Sequence, residues 1–407
     1  MQVISIHMVT SEVERTLYLD RLDLFRDRTK IVKTITGVRR CGKSTLMRQH
    51  IRRLISSGIS EKMIIHLDLE SSSAYKLGNY TDLSNYLNEK MVDDGRYYVF
   101  LDEIQEVDGW ERAINALMVD TDADIYITGS NSRLLSSELS TYLTGRFTQI
   151  NMLPLSFKEF RELHSSIGDD RTLFDMFMAY GGFPGADPTA GDAFTRTSLK
   201  DLYSSILFWD VVTRGGVRNS NELDRLMRYM MINVGNPVSI RNIVDGMGNI
   251  HRSTVEHYLD LMERSFLLYR ADRFDLRGNA LNPSPKYYAV DQGLRNMSLD
   301  YDISDVGRTL ENIVYLELLR RGYRVSVGKW NAKEVDFVAV GPDGRTEYFQ
   351  VSYDINLENT RERELDPLRG IKDSFPKTVL VMHPSTSSVT VDGINITNVM
   401  EWLLNWP

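Results

Sequence analysis

Cysteine is almost missing from this sequence: the 407 residues contain one, Cys41. A single thiol forms no intrachain disulfide, which excludes the stapled scaffolds of small secreted domains and fits a reducing compartment. A basic excess is missing too. Lys and Arg number 48 against 56 Asp and Glu, a formal net charge of −8. An extended nucleic-acid surface would concentrate positive charge, so this balance argues against one while leaving room for a local basic groove. No apolar run approaches the roughly 20 residues that cross a bilayer. Residues 1–14 hold no basic segment followed by an apolar one. Neither a membrane span nor a signal peptide is therefore expected, and the expected location is cytoplasmic. Repeats and low-complexity segments are absent as well. What is there, 42% hydrophobic and 26% charged residues, is the composition of a globular protein with ample core, in a length that suggests about two to four domains.

The strongest local signal is an apolar, β-branched run, Ile31 to Thr36, followed by Gly37-Val38-Arg39-Arg40-Cys41-Gly42-Lys43-Ser44-Thr45 and then a helical pattern. Strand, G-x-x-x-x-G-K-S and helix in that order are the context of a phosphate-binding loop. The glycines let the backbone fold around an anion, and successive N–H groups then point inward at the phosphate. Residues 37–45 are thus the expected binding segment for ATP. Lys43 would reach the β- and γ-phosphates, Ser44 would hold Mg²⁺, and the helix dipole adds positive potential. Cys41, inside this loop, reads either as an oxidation-sensitive position or as a small loop residue.

A second apolar strand, Tyr97 to Leu101, ends in Asp102-Glu103. After a phosphate loop, Asp102 is placed to hold the Mg²⁺ with Ser44, and Glu103 to activate the attacking water as general base. A third strand, Ile125 to Thr128, ends in Gly129-Ser130-Asn131. There Ser130 or Asn131 would bond the γ-phosphate or the water; a simple turn is the alternative. Arg146 would lend charge to the transition state, in cis or from a neighbouring subunit, or is a surface arginine. Strands and helices alternate from 30 to 152, which predicts a parallel sheet with helices on both faces.

Residues 1–153 are accordingly expected to form an α/β nucleotide-binding core, and 154–220 a helical lid. Within the lid, Gly181-Gly182-Phe183-Pro184-Gly185 reads as a hinge or, more simply, as a tight turn. Residues 221–300 show three helical patterns and then two strands, the order of a winged helix. Residues 235–280 carry six Arg and six Asp or Glu, so protein docking suits this segment as well as DNA reading does. A further α/β domain of mixed sheet topology is expected over 301–407.

Taken together, Gly37 to Ser44, Leu101-Asp102-Glu103-Ile104-Gln105, Thr128-Gly129-Ser130-Asn131, Leu143-Thr144-Gly145-Arg146 and Pro154-Leu155-Ser156-Phe157 occur in the order of a known family. The chain resembles the bacterial and archaeal AAA-type P-loop ATPases that carry a C-terminal domain of uncharacterised function. That resemblance implies an ATPase core with an additional strand between the two nucleotide motifs. It also implies a C-terminal domain similar to the restriction-endonuclease fold. Active nucleases of that fold bind Mg²⁺ through a helix Glu, a strand Asp and an E-x-K or Q-x-K on the next strand. Glu311 and Asp336 stand where two of the acids are expected, but the third element reads Gln350-Val351-Ser352. The lysine is absent and an amide replaces the acid, so an inactive, nuclease-shaped domain is expected.

The function expected is Mg²⁺-dependent ATP binding and hydrolysis driving a conformational switch. The alternatives are a DNA- or RNA-binding or processing protein, and a regulatory module whose C-terminal domain docks a partner protein. An oligomer is required if Arg146 acts in trans.

Overall fold

The computed structural model describes residues 12–129, 143, 145–213, 215–217, 219–248, 250–276, 282–299, 305–330, 333–383 and 389–405. The chain first forms helix α1 (Thr16–Leu24). Asp27 adopts a left-handed φ of 64°, which turns the backbone toward the first strand. Five strands follow: β1 (Val32–Thr36), β2 (Ile64–Asp68), β3 (Tyr98–Asp102), β4 (Asp124–Gly129) and β5 (Phe147–Asn151). They form one parallel sheet in the order β2-β3-β4-β1-β5. The crossovers include α2 (Lys43–Ser56), α3 (Tyr80–Lys90) and α4 (Trp110–Asp120).

Strands β1, β3 and β4 are buried along their whole length. Their apolar residues do not alternate with exposed ones because a parallel sheet is covered on both faces, and the charged Lys33 of β1 and Asp124 of β4 are buried as a pair. Ile35, Phe100 and Tyr126 belong to one face's core, and Val99, Leu101 and Ile127 to the other's. β4 lies between β1 and β3, so an additional strand separates the two nucleotide motifs. The C-terminal ends of β1, β3 and β4 share one edge, where parallel sheets bind ligands.

Helices α5 (Phe157–Leu163), α6 (Asp170–Tyr180) and α7 (Asp192–Ile206) come next. α5 starts on a capping box in which Ser156 and Glu159 bond each other's backbone N–H. α7 runs into a π-helical turn, Leu207–Thr213. Three helices, α8 (Ser220–Ile232), α9 (Ile240–Met247) and α10 (Arg252–Arg264), precede an antiparallel ribbon of β6 (Leu268–Asp275) and β7 (Asn282–Ala289). That is the element order anticipated for 221–300. The ribbon does not stand alone, however. β6 pairs in parallel with β8 (Arg324–Trp330), so ribbon and C-terminal strands are one sheet that crosses the division expected at residue 300.

The remaining elements are α11 (Gln292–Ser298), α12 (Val306–Arg320), β9 (Lys333–Val340), β10 (Thr346–Asp354), α13 (Glu358–Gly370), β11 (Lys377–His383), β12 (Val389–Val391), β13 (Ile394–Asn398) and α14 (Val399–Leu404). The second sheet has eight strands in the order β12-β13-β11-β10-β9-β8-β6-β7. It mixes antiparallel β8-β9-β10 with parallel β10-β11, joined through α13. Leu310 and Val314 of α12 belong to the core on one face and Leu365 and Leu368 of α13 to that on the other. One hydrophobic cluster runs from Val13 through the helices to Leu403 of α14, so both sheets share a core. Among the described residues, no helix is long and apolar enough to cross a membrane.

Two contacts fix this arrangement. Arg320 of α12 donates to the Pro154 carbonyl at 2.9 Å and to the Tyr18 hydroxyl at 3.0 Å, and pairs with Glu317 at 3.0 Å. Arg320→Met should therefore lower stability in urea denaturation by about 3 kcal/mol, since it strands buried polar partners. Asp291, the N-cap of α11, accepts N–H bonds from Gly182 at 2.7 Å and Leu294 at 2.9 Å. Burial nevertheless raises its carboxyl to about 6. The folded chain thus holds this proton more tightly than the unfolded chain, whose Asp titrates near about 4. Its contribution to stability grows as pH falls through 6 and is lost as pH rises. Relative to Asp291→Asn, wild type should gain about 1 kcal/mol between pH 7 and pH 5.

Candidate nucleotide-binding site

A cavity of ≈ 610 Å³ opens where the loop after β1 meets the ends of β2 and β3. Arg39, Arg40, Lys43, Ser44 and Thr45 line one side, and Asp68, Glu70, Asp102 and Glu103 the other. Two stretches separated by nearly 60 residues, one chosen for its glycines and one for its acids, meet here because their strands are parallel. Gly37 holds a φ of +149°, and a Cβ there would lie 2.2 Å from the Met152 carbonyl oxygen, so no other residue fits. Gly42, with φ +106°, is the N-cap of α2 and lines the cavity. The start of α2, whose first backbone N–H groups have no intrahelical acceptor, thereby lies on the cavity.

Lys43 is buried, and its Nζ donates to the carbonyls of Gly37 at 3.2 Å and Val38 at 3.3 Å. It lies 3.6 Å from Glu103 Oε1. Arg39 pairs with Asp210 of the π-helical turn at 3.3 Å and with Glu70 at 3.6 Å. Two of the cations lining the cavity, Lys43 and Arg39, are thus already engaged with acids. Asp102 is buried and accepts a hydrogen bond from the Thr128 hydroxyl. Ser44 and Asp102 supply a hydroxyl and a carboxylate to one cavity, hard oxygen donors that fit Mg²⁺. The Glu103 N–H donates to Thr128 Oγ1 at 2.9 Å, and Gln105 Nε2 donates to Glu103 Oε2 at 2.5 Å.

Other expected site residues fall elsewhere. Val38 and Cys41 are fully buried, so their backbones, not their side chains, shape the loop. Arg146 donates to the Leu143 carbonyl at 3.2 Å and to Asn115 at 2.9 Å, and is not among the residues lining the cavity. Ser130 and Asn131 lie outside the described residues. The sequence reasoning missed the apolar wall of the cavity, to which Val13, Leu155, Leu163 and Pro184 contribute. Pro184 comes from the Gly-Gly-Phe-Pro-Gly element read as a turn. No local pattern marks these residues; only folding brings them together.

A second group of ionisable side chains sits on the C-terminal sheet. Glu311 of α12 accepts from the Tyr288 hydroxyl at 2.7 Å and pairs with Lys286 of β7 at 3.0 Å. Lys286 also pairs with Glu334 at 2.6 Å. Asp336 is buried, and burial together with Glu311 pushes its carboxyl well above the usual range. Gln350 donates to Glu364 at 2.9 Å, and its oxygen accepts from the Asp336 N–H at 3.2 Å. Among the described residues, no group of three or more His, Cys, Asp or Glu side chains is arranged to hold a metal ion.

A parallel sheet with a phosphate loop at the end of β1 and an Asp-Glu pair at the end of β3 defines a P-loop nucleotide-binding protein. Residues 29–161 match the AAA domain family, and residues 171–305 match a domain of unknown function, DUF8612. An uncharacterised protein of Haemophilus influenzae is 38% identical over 408 residues, covering 98% of this chain and 100% of that protein. The uncharacterised protein MJ1544 of Methanocaldococcus jannaschii is 32% identical over 362 residues, 84% of this chain and 79% of that one. The chain belongs to the family of these two proteins, and its N-terminal part is an AAA domain. The Aeropyrum pernix ORC1 protein in complex with DNA is similar over 71% of this chain and 93% of that one, at 13% identity and a TM-score of 0.33. A likeness that distant carries no argument about function.

Burial pushes the Cys41 thiol up, which leaves it unreactive. The native protein should resist a thiol-specific reagent at neutral pH, whereas the urea-unfolded chain should release one equivalent of chromophore.

Proposed function

We propose that the protein binds ATP with Mg²⁺ at residues 37–45, hydrolyses it, and uses the cycle as a conformational switch. One observation carries this reading: Lys43, Ser44, Asp102 and Glu103 line one cavity. Bound phosphates would draw Lys43 off its own loop carbonyls. Ser44 and Asp102 would hold the cation, which supplies charge neutralisation at the phosphates. Glu103 would orient the attacking water and take its proton. The apolar wall of Val13, Leu155, Leu163 and Pro184 offers a surface for the base.

The switch reading rests on Arg39. It is a phosphate-loop residue held by Asp210, and Asp210 belongs to the turn that carries the exposed Phe208 and Trp209. A phosphate competes with Asp210 for the same guanidinium. Nucleotide state is thereby linked to the helical segment. The role proposed for Arg146, in cis or in trans, requires its guanidinium to leave Asn115 and the Leu143 carbonyl; gel filtration with and without ATP tests for the assembly that a trans role requires. Ser130 or Asn131 is proposed to bond the γ-phosphate or the water. The C-terminal sheet is proposed to be nuclease-like in shape and silent, because Gln350 stands in place of an acid and Lys286 already pairs with Glu311. DNA, RNA or a partner protein remains the proposed target of the helices and ribbon.

Phosphate release by wild type, Lys43→Ala and Glu103→Gln tests the reading. Lys43→Ala should lose nucleotide binding. Glu103→Gln should retain binding while its rate drops about a hundredfold. Equal release by all three contradicts it. Plasmid DNA should stay uncut with Mg²⁺ or Mn²⁺, and metal-dependent nicking by wild type that a Glu311→Gln, Asp336→Asn variant abolishes would overturn the assignment of a silent domain.

A further inference from the structure

Two side chains outside the nucleotide motifs converge on their acids. Thr128 is fully buried near the C-terminal end of β4. Leu101 of β3 pairs with Ile127 of β4, so Asp102 and Thr128 follow as neighbours across the parallel pair. A threonine hydroxyl has one donor and two acceptor sites. Here the donor goes to Asp102 Oδ1, and one acceptor site takes the Glu103 N–H at 2.9 Å. One hydroxyl therefore touches the Asp102 carboxylate and the Glu103 backbone.

Glu103 has a left-handed φ of 52°. A non-glycine residue in that region is strained by about 1 kcal/mol or more, and such strain persists only where neighbouring contacts over-determine it. The Thr128 bond to the Glu103 amide is such a contact. The Glu103 carboxylate is held from the other side. Gln105 Nε2 donates to Oε2 at 2.5 Å, and the Gln105 oxygen is buried with no hydrogen-bond partner among the described residues. The reversed amide would set oxygen against carboxylate, so the donor orientation is the one chemistry allows. An amide that leaves its own buried oxygen unpaired is kept in place at a cost, which its bond to Glu103 offsets. Glu103 Oε1 meanwhile lies 3.6 Å from Lys43.

We propose that Thr128 and Gln105 are positioning residues of the hydrolytic centre: Thr128 sets Asp102 and the Glu103 backbone, and Gln105 sets the Glu103 carboxylate. The two roles differ in what they touch. Thr128 acts on the acid assigned to the cation and on the acid assigned to water, and Gln105 acts on the second alone. The proposal rests on the hydrolytic reading above, and the test separates the two.

The test uses the full chain with Thr128→Val, which keeps shape and removes the hydroxyl, Thr128→Ser, which restores it, and Gln105→Met. Binding of a fluorescent ADP analogue is measured in EDTA and in Mg²⁺, alongside kcat and KM for ATP. Thr128→Val should bind nucleotide in EDTA within twofold of wild type, which shows an intact pocket. It should lose most of the tightening that Mg²⁺ confers, and kcat should drop about a hundredfold, both recovering in Thr128→Ser. Gln105→Met should keep the Mg²⁺ tightening and lose kcat by about tenfold. The Thr128 role is overturned if the valine variant keeps its Mg²⁺ tightening, loses EDTA binding in step with activity, or is not rescued by serine. The Gln105 role is overturned if kcat is unchanged or if Mg²⁺ tightening falls with it. If wild type hydrolyses nothing, the hydrolytic reading fails and takes the Gln105 role with it, while the Mg²⁺ arm still decides for or against Thr128.

Discussion

The structure turns on one buried guanidinium. Arg15, 2% exposed, bonds Glu159 at 2.8 Å, the Cys41 carbonyl at 3.2 Å and the Leu153 carbonyl at 2.8 Å. It therefore touches the phosphate loop, the chain leaving β5 and helix α5 at once. It also reaches the Pro154 carbonyl at 3.3 Å, and Arg320 of α12 donates to that same carbonyl. Two buried cations share one acceptor, and Glu159 and Glu317 compensate them. Charges this deep persist only while every partner stays in place. The loop, α5 and α12 are consequently held in register by a single polar network set in a shared apolar core.

This network gives the nucleotide-binding edge a physical line to the rest of the molecule. The loop carbonyl that Arg15 holds belongs to Cys41, in the segment proposed to bind the phosphates. The loop's cations are balanced by acids from three directions: Glu103 from β3, Glu70 from the end of β2 and Asp210 from the π-helical turn. A polyphosphate brings several negative charges into that balance and competes for each cation. A ligand shifts a conformational equilibrium only by its difference in affinity for the two states, and competition for Arg39 and Lys43 is a source of that difference.

The parts legible in the sequence were those encoded by local spacing. Gly37, Gly42 and Lys43 announce their loop because glycine positions and a following helix are contiguous in the chain. Asp102 and Glu103 stand out because a fully buried strand ends on them. The parallel order of β1 to β5 follows from alternating strands and helices. What escaped depends on register and docking. Thr128 reads as an ordinary strand residue until β3 and β4 are paired, and Pro184 as a turn until its loop folds over the cavity. Lys286 belonged to an expected wing, and only the pairing of β6 with β8 brings its ribbon onto the sheet that carries Glu334 and Asp336. Arg146 shows the converse: its spacing suits a charge donor, yet Asn115 and Leu143 hold its guanidinium away from the cavity lining.

The central claim is that nucleotide bound at the phosphate loop is felt in the C-terminal sheet through Arg15, Glu159 and Arg320. Hydrogen–deuterium exchange with and without a non-hydrolysable ATP analogue and Mg²⁺ tests it most directly. The account predicts changed protection in residues 37–45 together with residues 157–163 and 306–320. A change confined to 37–45, with α5 and α12 exchanging as in the nucleotide-free protein, would contradict it.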